Sequence, residues 1–194
     1  SDVTDNVVRE FRIALARRPI KKITQSYYVI AIRNFLRYLA KRDIPALAPD
    51  KIELPRTPSR QIAVVEYGDL ERLLNAPPGG TLRGLRDRAI LEMFFSTGLR
   101  LHELVGLDRY LDLSRGEFSV RGKGDKVRVV FLSDRATKAI KAYMARRGDA
   151  DPALFVSLTK DPTRKDAQPR VIGRITGRAV ERLVESAAKK AGIH

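Results

Sequence analysis

The sequence predicts a mainly α-helical fold with a small β-hairpin, of the α+β class, divided into two units. Three observations support this prediction. Apolar residues recur at helical spacing over most of the chain, the period changes to two in one stretch, and prolines cluster at one place. The chain has 194 residues, of which 43% are hydrophobic, and this is enough for one full domain or two small ones with a buried core.

Two amphipathic helices are predicted at the start of the chain. Their apolar faces consist of Val7, Phe11, Ala14 and Leu15 in the first helix and Tyr28, Ile32, Phe35, Leu36 and Leu39 in the second. In the second helix, Arg33, Arg37 and Lys41 form a stripe at i, i+4 and i+8 with no acidic residue interleaved. Such a row of cations suits contacts with successive phosphates, and a solvated helix face is the alternative interpretation.

A proline-rich segment follows from Ile44 to Ser59. It contains Pro45, Pro49, Pro55 and Pro58 within 14 residues. Because proline interrupts helices, the segment predicts an extended linker that begins near residue 44, with a domain boundary near residue 58. The expected domains are therefore residues 1–58 and 59–194.

Further helices are predicted after the linker, over residues 67–75, 83–96, 101–105, 134–146 and 173–191. The second of these has a broad apolar surface, typical of a central core helix, and Gly98 follows it at a C-cap position that needs a positive φ. Ser133 is the predicted N-cap of the fourth. In the last helix, Arg174, Arg178 and Arg182 are expected to form a second basic stripe.

A β-hairpin is predicted where apolar residues alternate with other residues. Phe118 and Val120 precede the turn sequence Gly122-Lys123-Gly124-Asp125, and Val127, Val129 and Phe131 follow it. This arrangement places Lys123 at the hairpin tip. A short strand is expected over residues 153–156, and a polar loop over residues 159–169.

The charge of the chain is its strongest global signal. The net charge is +15, and residues 1–58 carry 12 basic and 6 acidic residues against 26 and 17 in the rest. Two basic units indicate a polyanion held between them, although ribosomal and other basic proteins share this composition. The chain has no cysteine, no apolar stretch long enough for a membrane span and no signal-peptide pattern, so we expect a cytoplasmic protein.

Three residues are candidates for chemistry. Arg100 follows the capping glycine, so its backbone is placed rigidly and its guanidinium fork can bind two phosphate oxygens. Glu103, one helical turn later, is a candidate to hold or orient Arg100. Lys123, between two glycines, is suited to act as a general acid. Each residue taken alone has an ordinary structural interpretation, as a surface arginine or a turn lysine.

The two motifs together resemble those of a known family. LRDRAILEMFFSTGLRLHELVGL, followed about twenty residues later by GKGDK-x-R-x-V, resembles the catalytic domain of tyrosine site-specific recombinases of the Xer and phage-integrase type, over residues 66 to 193. The resemblance implies that Arg100 is the first catalytic arginine and Lys123 the hairpin lysine. It also implies that residues 1–58 form part of a helical core-binding domain and residues 59–194 the first part of the catalytic domain.

The resemblance implies a mechanism as well. Two domains grip duplex DNA, a tyrosine attacks a phosphate to form a 3′-phosphotyrosyl bond, and a 5′-hydroxyl leaves. No metal, cofactor or small-molecule substrate takes part, and the parent protein is expected to act as a homotetramer on DNA. The candidate DNA contacts are Arg33, Arg37, Lys41, Lys126, Arg128, Arg174 and Arg178.

The sequence departs from the family at the end of the match. The family's His-x-x-Arg motif and nucleophilic tyrosine are missing after Ala191-Gly192-Ile193, and every tyrosine of the chain precedes that point. We therefore expect a chain that binds duplex DNA without cleaving it. A non-catalytic DNA-binding regulator with a recombinase-like scaffold is the main alternative, and an RNA-binding or ribosomal protein is a more distant one.

Overall fold

The computed structural model describes residues 3–54, 64–159 and 169–193. The chain divides into two compact units, Ser1–Ala63 and Val64–His194. Helices make up most of the regular structure, and two small antiparallel sheets supply the rest. The prediction of a mainly helical α+β fold is confirmed.

The first unit contains helices α1 (Asp5–Ala16) and α2 (Lys22–Ala40). The hydroxyl of Thr4 accepts a hydrogen bond from the backbone N–H of Val7 and so caps α1. Apolar residues from both helices pack together with Ala46, Leu47 and Ile52 of the proline-rich segment. The buried members of this core are Val8, Val29, Leu36 and Ile52.

The expectation of an extended linker from residue 44 needs correction. Pro49–Lys51 forms a single 3-10 turn, and Ile52, which follows it, is only 1% exposed in the core of the first unit. Arg33 of α2 also forms an ion pair with Asp50 at 2.9 Å. Helix α2 ends at Ala40, before the first proline of the segment, and burial of apolar residues such as Ile52 stabilises the packed arrangement. The boundary predicted near residue 58 lies outside the described residues.

The second unit is built around two helices that carry its core. Its helices are α3 (Tyr67–Asn75), α4 (Leu82–Thr97), α5 (Leu101–Val105), α6 (Asp134–Ala145) and α7 (Gly177–Lys190). Buried residues of α4 and α6 belong to one continuous core. Its fully buried members include Ile90, Met93, Leu104, Ile140, Tyr143 and Phe155. Ser133 caps α6 by accepting a hydrogen bond from Ala136 N–H, as predicted.

The first sheet is the predicted hairpin. Strands β1 (Glu117–Arg121) and β2 (Val127–Phe131) pair in antiparallel register, with Phe118 opposite Val130 and Val120 opposite Arg128. Phe118, Val120 and Val130 are buried, so the inner face of the hairpin joins the core.

The second sheet was not fully predicted. Strand β3 (Val156–Thr159) begins three residues later than expected, and it pairs with an unexpected strand β4 (Arg170–Arg174). The last helix therefore begins at Gly177, where Thr176 caps it, and not near residue 173. Arg174 ends a strand and does not share a helical stripe with Arg178 and Arg182. Most of the loop expected over residues 159–169 lies outside the described residues.

Two helical glycines give a matched test of this packing. A Cβ atom added at Gly84 in α4 would lie 1.8 Å from the backbone carbonyl oxygen of Pro78, whereas one added at Gly68 in α3 would meet no atom within 4 Å. Gly84→Ala should lower the free energy of unfolding by about 1–3 kcal/mol. Gly68→Ala should raise it by up to about 1 kcal/mol because alanine favours helix. Urea unfolding curves measure both, and equal midpoints for the two variants would contradict this packing.

Candidate active site

The chain reverses sharply before Arg100, and this turn places the arginine. Helix α4 ends at Thr97, and Gly98 adopts the left-handed conformation with φ 60° and ψ 28°. Its N–H donates to the carbonyl of Phe94 at 3.0 Å, so the predicted glycine C-cap is confirmed. Leu99 is then buried in the core, and Arg100 stands at the N-cap of α5 with 60% of its side chain exposed.

The carboxylate of Glu103 binds Arg100 through both its backbone and its side chain. The Glu103 side chain is only 1% exposed. One carboxylate oxygen, Oε2, accepts the backbone N–H of Arg100 at 2.7 Å, and the other, Oε1, accepts Nη1 of Arg100 at 3.1 Å. The carboxylate therefore closes the first turn of α5 and restrains the guanidinium of Arg100.

A second arginine binds the same carboxylate. Arg128 of β2 donates from Nη1 to Oε1 of Glu103 at 2.8 Å and from Nη2 to Oε2 at 2.7 Å. The hairpin is thus fastened to α5 by a bidentate ion pair, the strongest geometry available to a guanidinium and a carboxylate. We call Arg100, Glu103, Arg128 and the backbone of Gly122 the Glu103 cluster.

The two arginines keep Glu103 ionised. Hydrogen bonds from Arg128, together with those from the backbone and side chain of Arg100, lower the pKa of Glu103 to about 2, although burial opposes this shift. The same ion pair raises the pKa of Arg128. The cluster therefore carries one negative and two positive charges at any physiological pH.

Gly122 brings the hairpin backbone onto this cluster. A Cβ atom at this position would lie 3.1 Å from Oε1 of Glu103, 3.2 Å from Nη1 of Arg128 and 3.5 Å from Nη1 of Arg100. The N–H of Gly122 donates to the carbonyl of Lys126 at 2.8 Å and closes the hairpin loop. Lys123 begins the 3-10 turn that follows, and its side chain lies outside the described residues.

The structure separates the other predicted DNA contacts into two groups. Arg37, Lys41, Lys126 and Arg178 are exposed. Arg33, Arg128 and Arg174 are instead held by acceptors within their own unit: Asp50 for Arg33, Glu103 for Arg128, and the carbonyls of Val105 and Leu107 together with Asp108 for Arg174. These contacts stabilise the fold of each unit.

Two features of the site were not identified from the sequence. Ser96 joins the end of α4 to the end of β2, because its hydroxyl donates to the carbonyl of Phe131 at 3.0 Å and accepts the N–H of Ser133 at 2.7 Å. The inward position of Arg128 was also missed. The apolar alternation of Val127, Val129 and Phe131 predicted the strand, but these three residues are exposed, and Arg128 shares the inner face with buried Val130.

Within residues 3–54, 64–159 and 169–193, no helix is long and apolar enough to cross a membrane. The same described ranges contain no group of three or more His, Asp or Glu side chains placed to hold a metal ion.

The second unit has the fold and the arginine-bearing motif of a tyrosine recombinase. Residues 64–194 match the phage integrase family, and the chain belongs to that family. Over 190 residues it is 34% identical to tyrosine recombinase XerC of Syntrophus aciditrophicus (strain SB), a match that covers 96% of this chain and 60% of XerC. The chain therefore spans about three fifths of the length of this relative.

Solved structures agree with this assignment. XerA recombinase is 26% identical, with a TM-score of 0.55, and the match covers 100% of this chain and 64% of XerA. XerH site-specific recombinase, in a post-cleavage complex with its palindromic difH substrate, is 19% identical with a TM-score of 0.69. That match covers 100% of this chain and 55% of XerH, and it shows the shared fold.

The lowered pKa of Glu103 predicts a pH dependence of stability. The ordinary value is 4.5 and the value in the fold is about 2, so the stability from the ionised carboxylate is complete above pH 4.5. It is lost as the pH falls from 4.5 towards 2. Glu103→Gln should cost about 1–3 kcal/mol at pH 7, and its deficit relative to wild type should shrink through this window. Urea unfolding at pH 7, 4.5 and 3 measures the deficit, and a constant difference would contradict the assignment.

Proposed function

We propose that this chain grips duplex DNA and activates the scissile phosphate in a site-specific tyrosine recombinase. The proposal rests on one observation above all. Arg100 follows a rigid turn, Glu103 binds its backbone and one of its side-chain nitrogens, and 60% of the side chain remains exposed. A restrained but accessible guanidinium is the arrangement needed to bind two phosphate oxygens.

In the proposed reaction, Arg100 stabilises charge on the phosphate. The oxygen of a tyrosine forms a bond to phosphorus, the bond from phosphorus to the 5′ oxygen breaks, and the extra negative charge in between lies on the non-bridging oxygens. A guanidinium stays protonated throughout, so it stabilises this charge without proton transfer.

Lys123 is proposed to protonate the leaving 5′ oxygen as a general acid. Its backbone follows Gly122, which lies against the Glu103 cluster, so the hairpin tip begins next to Arg100. The tyrosine and the His-x-x-Arg motif are not among the 194 residues. We therefore propose that this polypeptide by itself binds DNA without cleaving it, and that the parent protein acts as a homotetramer on DNA.

Exposed cations supply the affinity for the DNA backbone in this proposal. The chain carries a net charge of +15, and Arg37, Lys41, Lys126 and Arg178 are exposed. XerH, which shares the fold, is described in complex with its DNA substrate. Duplex DNA is accordingly the proposed partner of this chain.

The salt dependence of DNA binding tests the proposed phosphate contacts of the basic row formed by Arg33, Arg37 and Lys41. Each phosphate contact contributes about 0.9 to the slope of log K against log salt concentration. Arg37→Gln should reduce the slope by about this amount. Arg33→Gln should change it less, because Asp50 already pairs with Arg33. Fluorescence anisotropy with labelled duplex DNA at several salt concentrations measures both slopes, and an affinity independent of salt would contradict the proposed interface.

The proposed role of Arg100 is tested with a nicked suicide substrate. The 194-residue chain should bind this duplex without forming a covalent adduct, and Arg100→Ala should weaken binding about tenfold through the loss of a charge-assisted contact. Gel electrophoresis under denaturing conditions detects any adduct. An adduct would contradict the non-cleaving role, and failure to bind any duplex DNA would contradict the proposed function as a whole.

A further inference from the structure

Arg128 occupies an unusual position for an arginine in a two-stranded hairpin. It shares the inner face of β2 with buried Val130, while Val127 and Val129 on the outer face are 60% and 52% exposed. Long cationic side chains in such positions usually extend to water. The side chain of Arg128 is instead 35% exposed, and both terminal nitrogens bind Glu103. The strand therefore presents its cation to a buried carboxylate.

The carboxylate of Glu103 is fully occupied. Its two oxygens accept four hydrogen bonds, two from Arg100 and two from Arg128, and a carboxylate has about four such sites. Oε1 is shared between the guanidinium groups, at 2.8 Å from Nη1 of Arg128 and 3.1 Å from Nη1 of Arg100. Because Arg128 takes the shorter bond and one further oxygen site, Arg100 is left with a single, longer side-chain bond to Glu103.

Two cations thus compete for one anion. If Arg128 were absent, Glu103 would have vacant sites and an unshared negative charge beside Arg100. A guanidinium and a carboxylate favour two parallel hydrogen bonds. Arg100 would then turn towards Glu103 and form such a pair, and fewer of its donors would face outwards.

We propose that Arg128 is a positioning residue that keeps Arg100 available for phosphate by occupying Glu103. This inference rests on the proposed function of Arg100. Gly122 extends the effect to the hairpin tip, because its backbone lies against the same three charged groups. Loss of Arg128 changes both the orientation of Arg100 and the docking of the residue that precedes Lys123.

The first test observes Arg100 directly by NMR in the absence of DNA. Arg128→Gln should shift the Nε–Hε resonance of Arg100 and slow the rotation of its guanidinium, as expected for a tighter pair with Glu103. It should also raise the hydrogen exchange rate of the Gly122 amide, which is hydrogen-bonded to the carbonyl of Lys126, about tenfold, on the scale set by loss of one ion pair. Arg128→Lys, which retains the charge with fewer donors, should show smaller shifts and remains informative if the glutamine variant does not fold.

Arg121 provides a matched control on the same hairpin. It ends β1 on the outer face, its side chain is 70% exposed, and it pairs with Asp125 rather than with Glu103. Arg121→Gln removes an arginine and an ion pair but should leave the Arg100 resonance in place. If Arg128→Gln lowers the urea midpoint while Arg100 and the Gly122 amide keep their wild-type behaviour, Arg128 only stabilises the fold and the proposal is wrong.

The second test is a double-mutant cycle on DNA affinity. Arg128→Gln should weaken binding several-fold when Arg100 is present and less than twofold in the Arg100→Ala background, because it acts through Arg100. Equal losses in both backgrounds would show that Arg128 contacts DNA itself, which would overturn the proposal. If Arg100→Ala alone has no effect on binding, the proposed function fails, whereas the NMR experiment still decides whether Arg128 positions Arg100.

Discussion

A buried negative charge at Glu103 organises the second unit around the candidate site. An isolated carboxylate in this position would lose its hydration, and the loss is tolerable only because every oxygen site accepts a hydrogen bond. One partner is local and the other distant in sequence: Arg100 is the N-cap of α5, which contains Glu103, and Arg128 lies in β2. The four hydrogen bonds to the Glu103 carboxylate therefore position α5, β2 and the candidate catalytic arginine relative to one another.

Other arginines also stabilise the surrounding scaffold. Glu92 of α4 is fully buried, and Arg135 of α6 binds it through Nε at 2.5 Å while also pairing with Glu71 of α3. Arg86 donates to the carbonyl of Val156 in β3, and Arg147 donates to the carbonyl of Ala153 just before this strand. Many of the cations that produce the net charge of +15 therefore stabilise the fold, and the net charge by itself overstates how many are available to an external anion.

Local patterns predicted most of the fold, because their causes are local. The helical periodicity around Ile90, the positive φ required at Gly98 and the alternation that leads to Phe131 each depend on residues within a turn or a strand. Strand β4 was missed because its stability depends on pairing with β3, which is separated from it in the sequence by residues 160–169. A pairing partner of this kind is not visible in the local pattern. Ile52 was assigned to a linker because only its contact with the core distinguishes it from an exposed residue.

For the candidate site, the sequence by itself identified the candidate residues and where the chain turns to present them: Arg100 after Gly98, Glu103 one turn later, and Lys123 at a hairpin tip. Only the tertiary structure decided which of the two arginines is bound to a buried carboxylate through both terminal nitrogens and which remains mostly exposed. Arg128 and Arg100 are both arginines on predicted elements, yet one occupies a buried carboxylate and the other remains exposed. Sequence spacing does not contain this distinction, because it depends on which side chain reaches Glu103 from a distant strand.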